Sequence, residues 1–343
     1  MRRHPKCAVL PASALARLRI LFLARHACGD GRAHATDGNH ATYHHELRTT
    51  LERIGLNVTA ADSFDAIARC PEADFVIPLL NRGGFTNSEM LAPLLLAQHG
   101  VPYLGASPIL RGLADDKHLA KLAARHHDIP TPAWRIHRRG AGPIERPRPA
   151  VDRMVVKPNA SSASWGVRII DDWADAIQHI GWLHDNGHDA IVEDYAPLLD
   201  IAVPVIGGAS PDPWLLPPMA YVPDDPHRLR SYEEKRALVD TDIDPLVPIT
   251  DPAVIAQLDG YTRALARELW PFDYGRFEYR YDPHSGAVQF MEVNLSCNLW
   301  SQKTISRSAA SIGIDHATLV ESIVAHSLAR QGVTTATLAE MAA

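Results

Sequence analysis

Arg276-Phe277-Glu278 and Glu292-Val293-Asn294 carry a guanidinium, two carboxylates and an amide on two short segments separated by thirteen residues. Tyr274–Tyr281 alternates and is rich in aromatics. Asp282-Pro283-His284-Ser285-Gly286 has turn chemistry, and 287–293 is a second apolar run ending in acid. The pattern predicts a β-hairpin. Side chains at i and i+2 of a strand share a face, so Glu278 lies with Arg276 and Glu292 with Asn294. Where the two pairs face each other they form an all-oxygen cluster beside a guanidinium. Hard divalent cations such as Mg²⁺ take ligands of that kind, usually shared with substrate phosphates. A surface hairpin with scattered charges is the plain alternative.

Other segments carry chemistry of the opposite sign. Lys157 stands just before Asn159-Ala160-Ser161-Ser162-Ala163-Ser164-Trp165-Gly166. Small residues let backbone amides approach an anion, hydroxyls add donors, and the lysine adds a point charge. The stretch is neither a Walker A sequence nor a GxGxxG, and a serine-rich surface loop is its bland reading. Glu193-Asp194-Tyr195 closes a strand and Asp200 follows. Such a strand end can hold an adenine ring, and a following carboxylate can accept ribose hydroxyls; a solvated acidic strand end is the alternative.

These groups need a frame. Apolar Arg19–Arg25, helical Ala41–Ile54 ending at Gly55, Asn57–Ala60, Phe75–Leu80, helical Asn87–His99 and Val101–Leu104 alternate strand with helix. The alternation predicts a parallel α/β lobe over residues 19–112, preceded by a loose extension over 1–18. A helix over Asp115–His126, strands at Met154–Pro158, Gly166–Ile170 and Ala190–Tyr195, and a helix over Asp172–Asn186 predict a central α+β lobe over 113–200. Residues 201–343 form a third lobe, with a helix over Asp251–Leu269 before the hairpin.

Bulk properties exclude several classes. A chain of 343 residues fits two or three associated lobes. A formal net charge of −6 with no long basic run argues against nucleic acid as a partner. Four scattered cysteines, with no CxxC, read as reduced thiols in a cytoplasmic protein. No apolar stretch approaches the roughly 20 residues a membrane span needs.

The order of the motifs adds more than any one of them. Asp116-Lys117 opens a helix. Val156-Lys157-Pro158 precedes the small-residue loop, Glu193 and Asp200 follow, then Tyr232-Glu233-Glu234-Lys235, and the hairpin comes last. This series resembles the ATP-grasp superfamily, and most closely the D-alanine–D-alanine ligases, from about Leu79 to Ala325. The resemblance implies a three-lobed α/β (α+β) fold, with ATP between two α+β lobes. It implies phosphate contacts for Lys117 and Lys157, an adenine hinge at Glu193 and Tyr195, a ribose contact at Asp200, and a nucleotide-covering lysine at Lys235. Glu278, Glu292 and Asn294 match the Mg²⁺ (or Mn²⁺) ligands, and Arg276 the arginine that stabilises the tetrahedral intermediate. The implied reaction is phosphorylation of a carboxylate by ATP, then attack of an amine on the acyl phosphate. Homodimers are common among such ligases. Water would destroy an acyl phosphate, so a lid is needed. The Asn159–Gly166 loop and the Pro223–Leu238 stretch are the lid candidates.

Departures from the family pattern are as informative. The ligases continue their metal motif as Asn-Thr-x-Pro-Gly, whose glycine amide binds the oxyanion. Here Asn294-Leu295-Ser296-Cys297-Asn298 stands, leaving Asn298 as the donor in that place. Ser161-Ser162-Ala163-Ser164 replaces Glu-Gly-Ser-Ser and keeps a hydroxyl at Ser164. Lys303 falls where an acceptor pocket belongs, as a carboxylate partner or a surface lysine. The N-terminal lobe has a His-rich stretch from His26 to Glu46 in place of the motif that binds the first D-alanine. His40 and His44 are spaced i, i+4, but tetrahedral zinc needs three or four converging ligands; a substrate-binding turn is preferred. The expectation is amide-bond formation between small amino-acid-like substrates other than two D-alanines. A cyclising synthetase or small-molecule kinase on the same scaffold, and a non-catalytic ATP-binding module, are the rivals.

Overall fold

The computed structural model describes residues 4–80, 88–146, 152–196, 199–208, 210–223, 231–238, 245–334 and 337–338. Its N-terminal part is a three-stranded parallel sheet in which Arg19–Leu23 lies between Asn57–Ala61 and Phe75–Pro78. The helix His40–Ile54 buries Tyr43, Leu47 and Leu51, and Gly55 ends it at φ 101°, a conformation that favours glycine. The fourth strand expected at Val101–Leu104 is reduced to one parallel bridge, Val76↔Tyr103. Gly105 turns the backbone immediately afterwards, at φ 120°.

The N-terminal segment is packed, not the loose extension its sequence suggests. Cys7, Ala8 and Leu10 are buried. The Ala8 amide donates to Ser322 Oγ at 2.9 Å and the Leu10 amide to Glu321 Oε1 at 3.1 Å, both on the helix His316–Arg330. That helix shares one apolar core with Phe22, Leu47 and Leu51, so it ties the segment around Cys7 to the parallel sheet.

Two helices, Pro108–Asp115 and Lys117–His126, replace the single one expected from 115 onward. Asp116 separates them because its backbone is extended; its carboxylate caps the second helix by accepting from the Leu119 amide at 2.9 Å. The middle of the chain forms a four-stranded antiparallel sheet in the order Trp134–His137, Ala190–Asp194, Met154–Pro158, Arg168–Ile170. The helix Trp173–Asp185 packs on it through Ala176, Ile180 and Leu183.

A six-stranded sheet completes the fold. Leu199–Ile206 pairs antiparallel with Tyr274–Tyr281, which pairs with Val288–Asn294. The helix Pro252–Glu268 lies over its apolar face, sharing a core with Phe277, Tyr279 and Phe290. In the hairpin Arg276 stands opposite Asn294 and Glu278 opposite Glu292. The register shifts between Glu278 and Tyr279, so Met291 is the extra residue of a β-bulge. With strict alternation Phe290 would share a face with Glu292 and Asn294. The bulge lets Phe290 and Val293 both enter the core while Glu292 and Asn294 turn the other way.

Candidate active site

A cavity of about 350 Å³ opens between the middle sheet, the six-stranded sheet and the N-terminal part. All twelve site residues predicted from the sequence line it: Lys117, Lys157, Ser164, Glu193, Tyr195, Asp200, Lys235, Arg276, Glu278, Glu292, Asn294 and Asn298. They come from six separate stretches of chain, and the strand and helix ends above bring them together.

The small-residue loop is stitched to the start of the helix Lys117–His126. The Lys117 amide donates to Asn159 O at 3.0 Å, and the His118 amide to Asn159 Oδ1 at 2.9 Å. Lys117 Nζ donates to Ser161 O at 3.0 Å and lies 3.2 Å from Glu292 Oε2. Ala163 and Ser164 both have positive φ, 55° and 61°, an uncommon backbone for residues with a Cβ. That backbone places Ser164 Oγ 2.6 Å from Lys235 Nζ, so the two lid candidates meet at this bond. The far end of the loop is held by Trp165, whose ring lies 4.8 Å from that of His188. His179 Nε2 is also hydrogen-bonded to Gly166 O at 2.8 Å. Of the second lid candidate, residues 224–230 lie outside the described residues.

Charge is dense and mostly paired. Arg276 Nη2 lies 2.6 Å from Glu278 Oε1, and Arg280 Nε 3.0 Å from Asp200 Oδ1. Burial pushes the Glu292 carboxyl up, but Lys117, Lys157 and Lys235 outweigh it and hold the group at about 2. A carboxyl depressed below its ordinary 4.5 contributes stability that is complete above that pH and is lost as pH falls toward 2. Urea midpoints measured across that window should therefore fall less steeply for Glu292→Gln than for the wild type. Parallel slopes would exclude this carboxylate from the acid limb.

The Glu193 carboxylate turns to the lysines of the site. Its side chain is fully buried between two lysines, 2.8 Å from Lys157 Nζ and 3.2 Å from Lys121 Nζ. Burial raises the Glu193 pKa and the two ammonium groups lower it further than burial lifts it. Burial also brings Lys121 down to about 8. Lys121 was missed by sequence reasoning although it stands one turn after Lys117. The residues after Glu193, Asp194 to Ala196, do line the cavity, and the Arg153 guanidinium lies 4.8 Å from the centre of the Tyr195 ring.

Past the hairpin, Asn294 Oδ1 accepts from the Ser296 amide at 3.0 Å, and Asn298 Oδ1 from the Trp300 amide at 2.7 Å. Glu46, also missed, fixes the segment that follows. It accepts from Trp300 Nε1 at 2.9 Å, and from the Ser301 amide and hydroxyl at 3.0 Å each. The His-rich stretch contributes Asp37, His40 and His44 to the cavity wall, and Lys303 also lines it. His26 is set behind, its Nε2 hydrogen-bonded to Asp37 Oδ2 at 2.8 Å. Among the described residues no three His, Cys, Asp or Glu side chains converge as a metal-binding group.

No family model matches the chain. A D-alanine–D-alanine ligase of Marinomonas sp. (strain MWYL1) is 27% identical over 269 residues, covering 76% of this chain and 80% of the relative. The protein y4sG of Sinorhizobium fredii is 30% identical over 243 residues, covering 68% and 69%. The crystal structure of D-alanine–D-alanine ligase from Bacillus anthracis complexed with ATP superposes with a TM-score of 0.71 at 18% identity, covering 92% of this chain and 99% of that one. The chain has the ATP-grasp fold of the D-alanine–D-alanine ligases. Among its described residues no helix is long and apolar enough to cross a membrane.

Proposed function

We propose that this ATP-grasp protein is an ATP- and Mg²⁺-dependent ligase that joins a carboxylate to an amine through an acyl phosphate. Its substrates are amino-acid-like but are not two D-alanines. The observation that carries the reading is the Lys117–Glu292 contact, 3.2 Å long. It puts a phosphate-seeking cation against a metal-seeking carboxylate, with Lys157 and Lys235 close enough to act on the same carboxyl.

Two carboxylates and an amide oxygen are a hard donor set suited to Mg²⁺, and the Glu278↔Glu292 register brings both acids to one place on the sheet. Glu278, Glu292 and Asn294 would hold the metal, which would neutralise charge on the transferring phosphoryl group. Lys117, Lys157 and Lys235 would cradle the nucleotide phosphates, while Asp194 to Ala196 and Asp200 face the nucleoside. Arg276, which Glu278 keeps charged in its half-buried position, would meet the oxyanion formed when the amine attacks. The Ser164–Lys235 bond would close the lid over the acyl phosphate and keep water out.

Purified protein with Mg-ATP is expected to release ADP only when amino acids are supplied. A panel of D- and L-amino acids, alone and in pairs, tests this, and product mass separates a two-substrate ligase from a kinase or a cyclising enzyme. No amino-acid-dependent ADP from any pair would overturn the reading. ATP use and free thiols both suit a cytoplasmic setting.

A further inference from the structure

Arg111 stands on the cavity wall, the reaction above leaves its charge unused, and its own hydrogen bonding is incomplete. It belongs to the helix Pro108–Asp115, whose inward face is Arg111, Ala114 and Asp115, spaced i, i+3, i+4. Such a face ordinarily carries leucine or alanine. Arg111 is 2% exposed yet lines the cavity. Its Nη2 donates to Leu104 O at 3.0 Å, while Nε and Nη1, both shielded from solvent, have no hydrogen-bond partner.

The seat of this side chain is built. Gly105, at φ 120°, lies under the guanidinium; a Cβ there would come within 2.2 Å of Arg111 Nη2. The helix packs on Ser88–Met90 at Gly112, where a Cβ would meet Met90 Sδ at 2.6 Å. This brings Glu89 to the same wall, and Glu89 Oε2 accepts from Ser296 Oγ at 2.8 Å. Arg111 therefore stands near the continuation of the metal hairpin. Tyr274, fully buried, also has a hydroxyl without a hydrogen-bond partner, and it lies close enough for Arg111 to oppose the rise that burial gives its pKa.

Burying a guanidinium with two open donors is costly unless an acceptor completes it. The planar fork of arginine matches a carboxylate. Neither the phosphate-side lysines nor Arg276 leaves Arg111 a part in the reacting centre. We propose that Arg111 binds a second carboxylate of the substrate, one that is not phosphorylated, so that the enzyme takes a dicarboxylic amino acid. The inference rests on the ligase reading for calling that molecule a substrate.

The test reads binding without turnover. Calorimetric titrations with MgADP present would compare D- and L-aspartate and glutamate with asparagine and glutamine, which lack only the second charge. At least one acid is expected to bind about tenfold or more tightly than its amide, in line with a charge-assisted pair. Arg111→Met should abolish the difference with MgADP affinity unchanged, and Arg111→Lys should restore part of it. Equal binding of every acid and its amide by the wild type would overturn the proposal, as would a preference that survives in Arg111→Met. If Arg111→Met fails to bind MgADP, the wild-type pairs and Arg111→Lys decide. Absence of amino-acid-dependent ADP release would count against the ligase reading and leave this binding result standing.

Discussion

Glu292→Gln is expected to lower amino-acid-dependent ADP release by at least about 100-fold, roughly 2.7 kcal/mol of barrier, in a protein that still folds. The two halves of this expectation have separate causes. Glutamine keeps an oxygen that Lys117 can donate to, Lys117 Nζ keeps its bond to Ser161 O, and the Glu292 side chain is about a third exposed, so the fold tolerates the loss of one charge. What disappears is one of two carboxylates placed opposite each other on the hairpin. A neutral amide is a poor substitute where a hard dication and the nucleotide phosphates must share ligands. The variant also loses the carboxylate that lies 3.2 Å from Lys117 Nζ. A coupled ADP assay, run beside a urea melt at neutral pH, separates the two halves. Wild-type rates in the folded variant would remove Glu292 from the proposed metal corner.

The hairpin was legible because its signals are local. Alternation over Tyr274–Tyr281 and the Asp-Pro-His-Ser-Gly turn fix two strands and their partner. The bulge at Met291 was not legible, since it depends on Phe290 and Val293 both finding room in a core built partly by the helix Pro252–Glu268. The twelve site residues converge on one cavity because their order along the chain follows the strand and loop ends of the fold. Side-chain direction is a different matter. Val155 stands opposite Glu193 and Lys157 opposite Ile191, so strand parity puts Lys157 and Glu193 on the same face. Reading Glu193 by its position in the motif series gave the hinge; only the register shows that its carboxylate turns to the lysines. Long-range burial was the other blind spot. Nothing near Lys121 indicates that an acid 72 positions later will enclose it, and nothing near Cys7 indicates a helix beginning at His316.

Glu193→Gln should then act on stability before it acts on nucleotide binding, with an expected loss of about 3–5 kcal/mol. Against a total of about 5–15 kcal/mol for a folded domain, that is a large share. The Lys121 and Glu193 side chains are fully buried and that of Lys157 is nearly so. Glutamine would leave two ammonium groups facing each other across a neutral amide. Thr131 Oγ1, which accepts from Lys121 Nζ at 2.7 Å, cannot compensate a charge. Replacing Glu193 and Lys121 together, by leucine and methionine, is expected to destabilise less than Glu193→Gln alone. Only Lys157 then stays charged, and it borders the cavity. Urea unfolding of the single and double variants measures the difference. If Glu193→Gln unfolds within about 0.5 kcal/mol of the wild type and instead raises the KM for ATP, the carboxylate faces the nucleotide after all. If the double variant is the less stable of the two, the lysines hold this part of the sheet by packing rather than by charge.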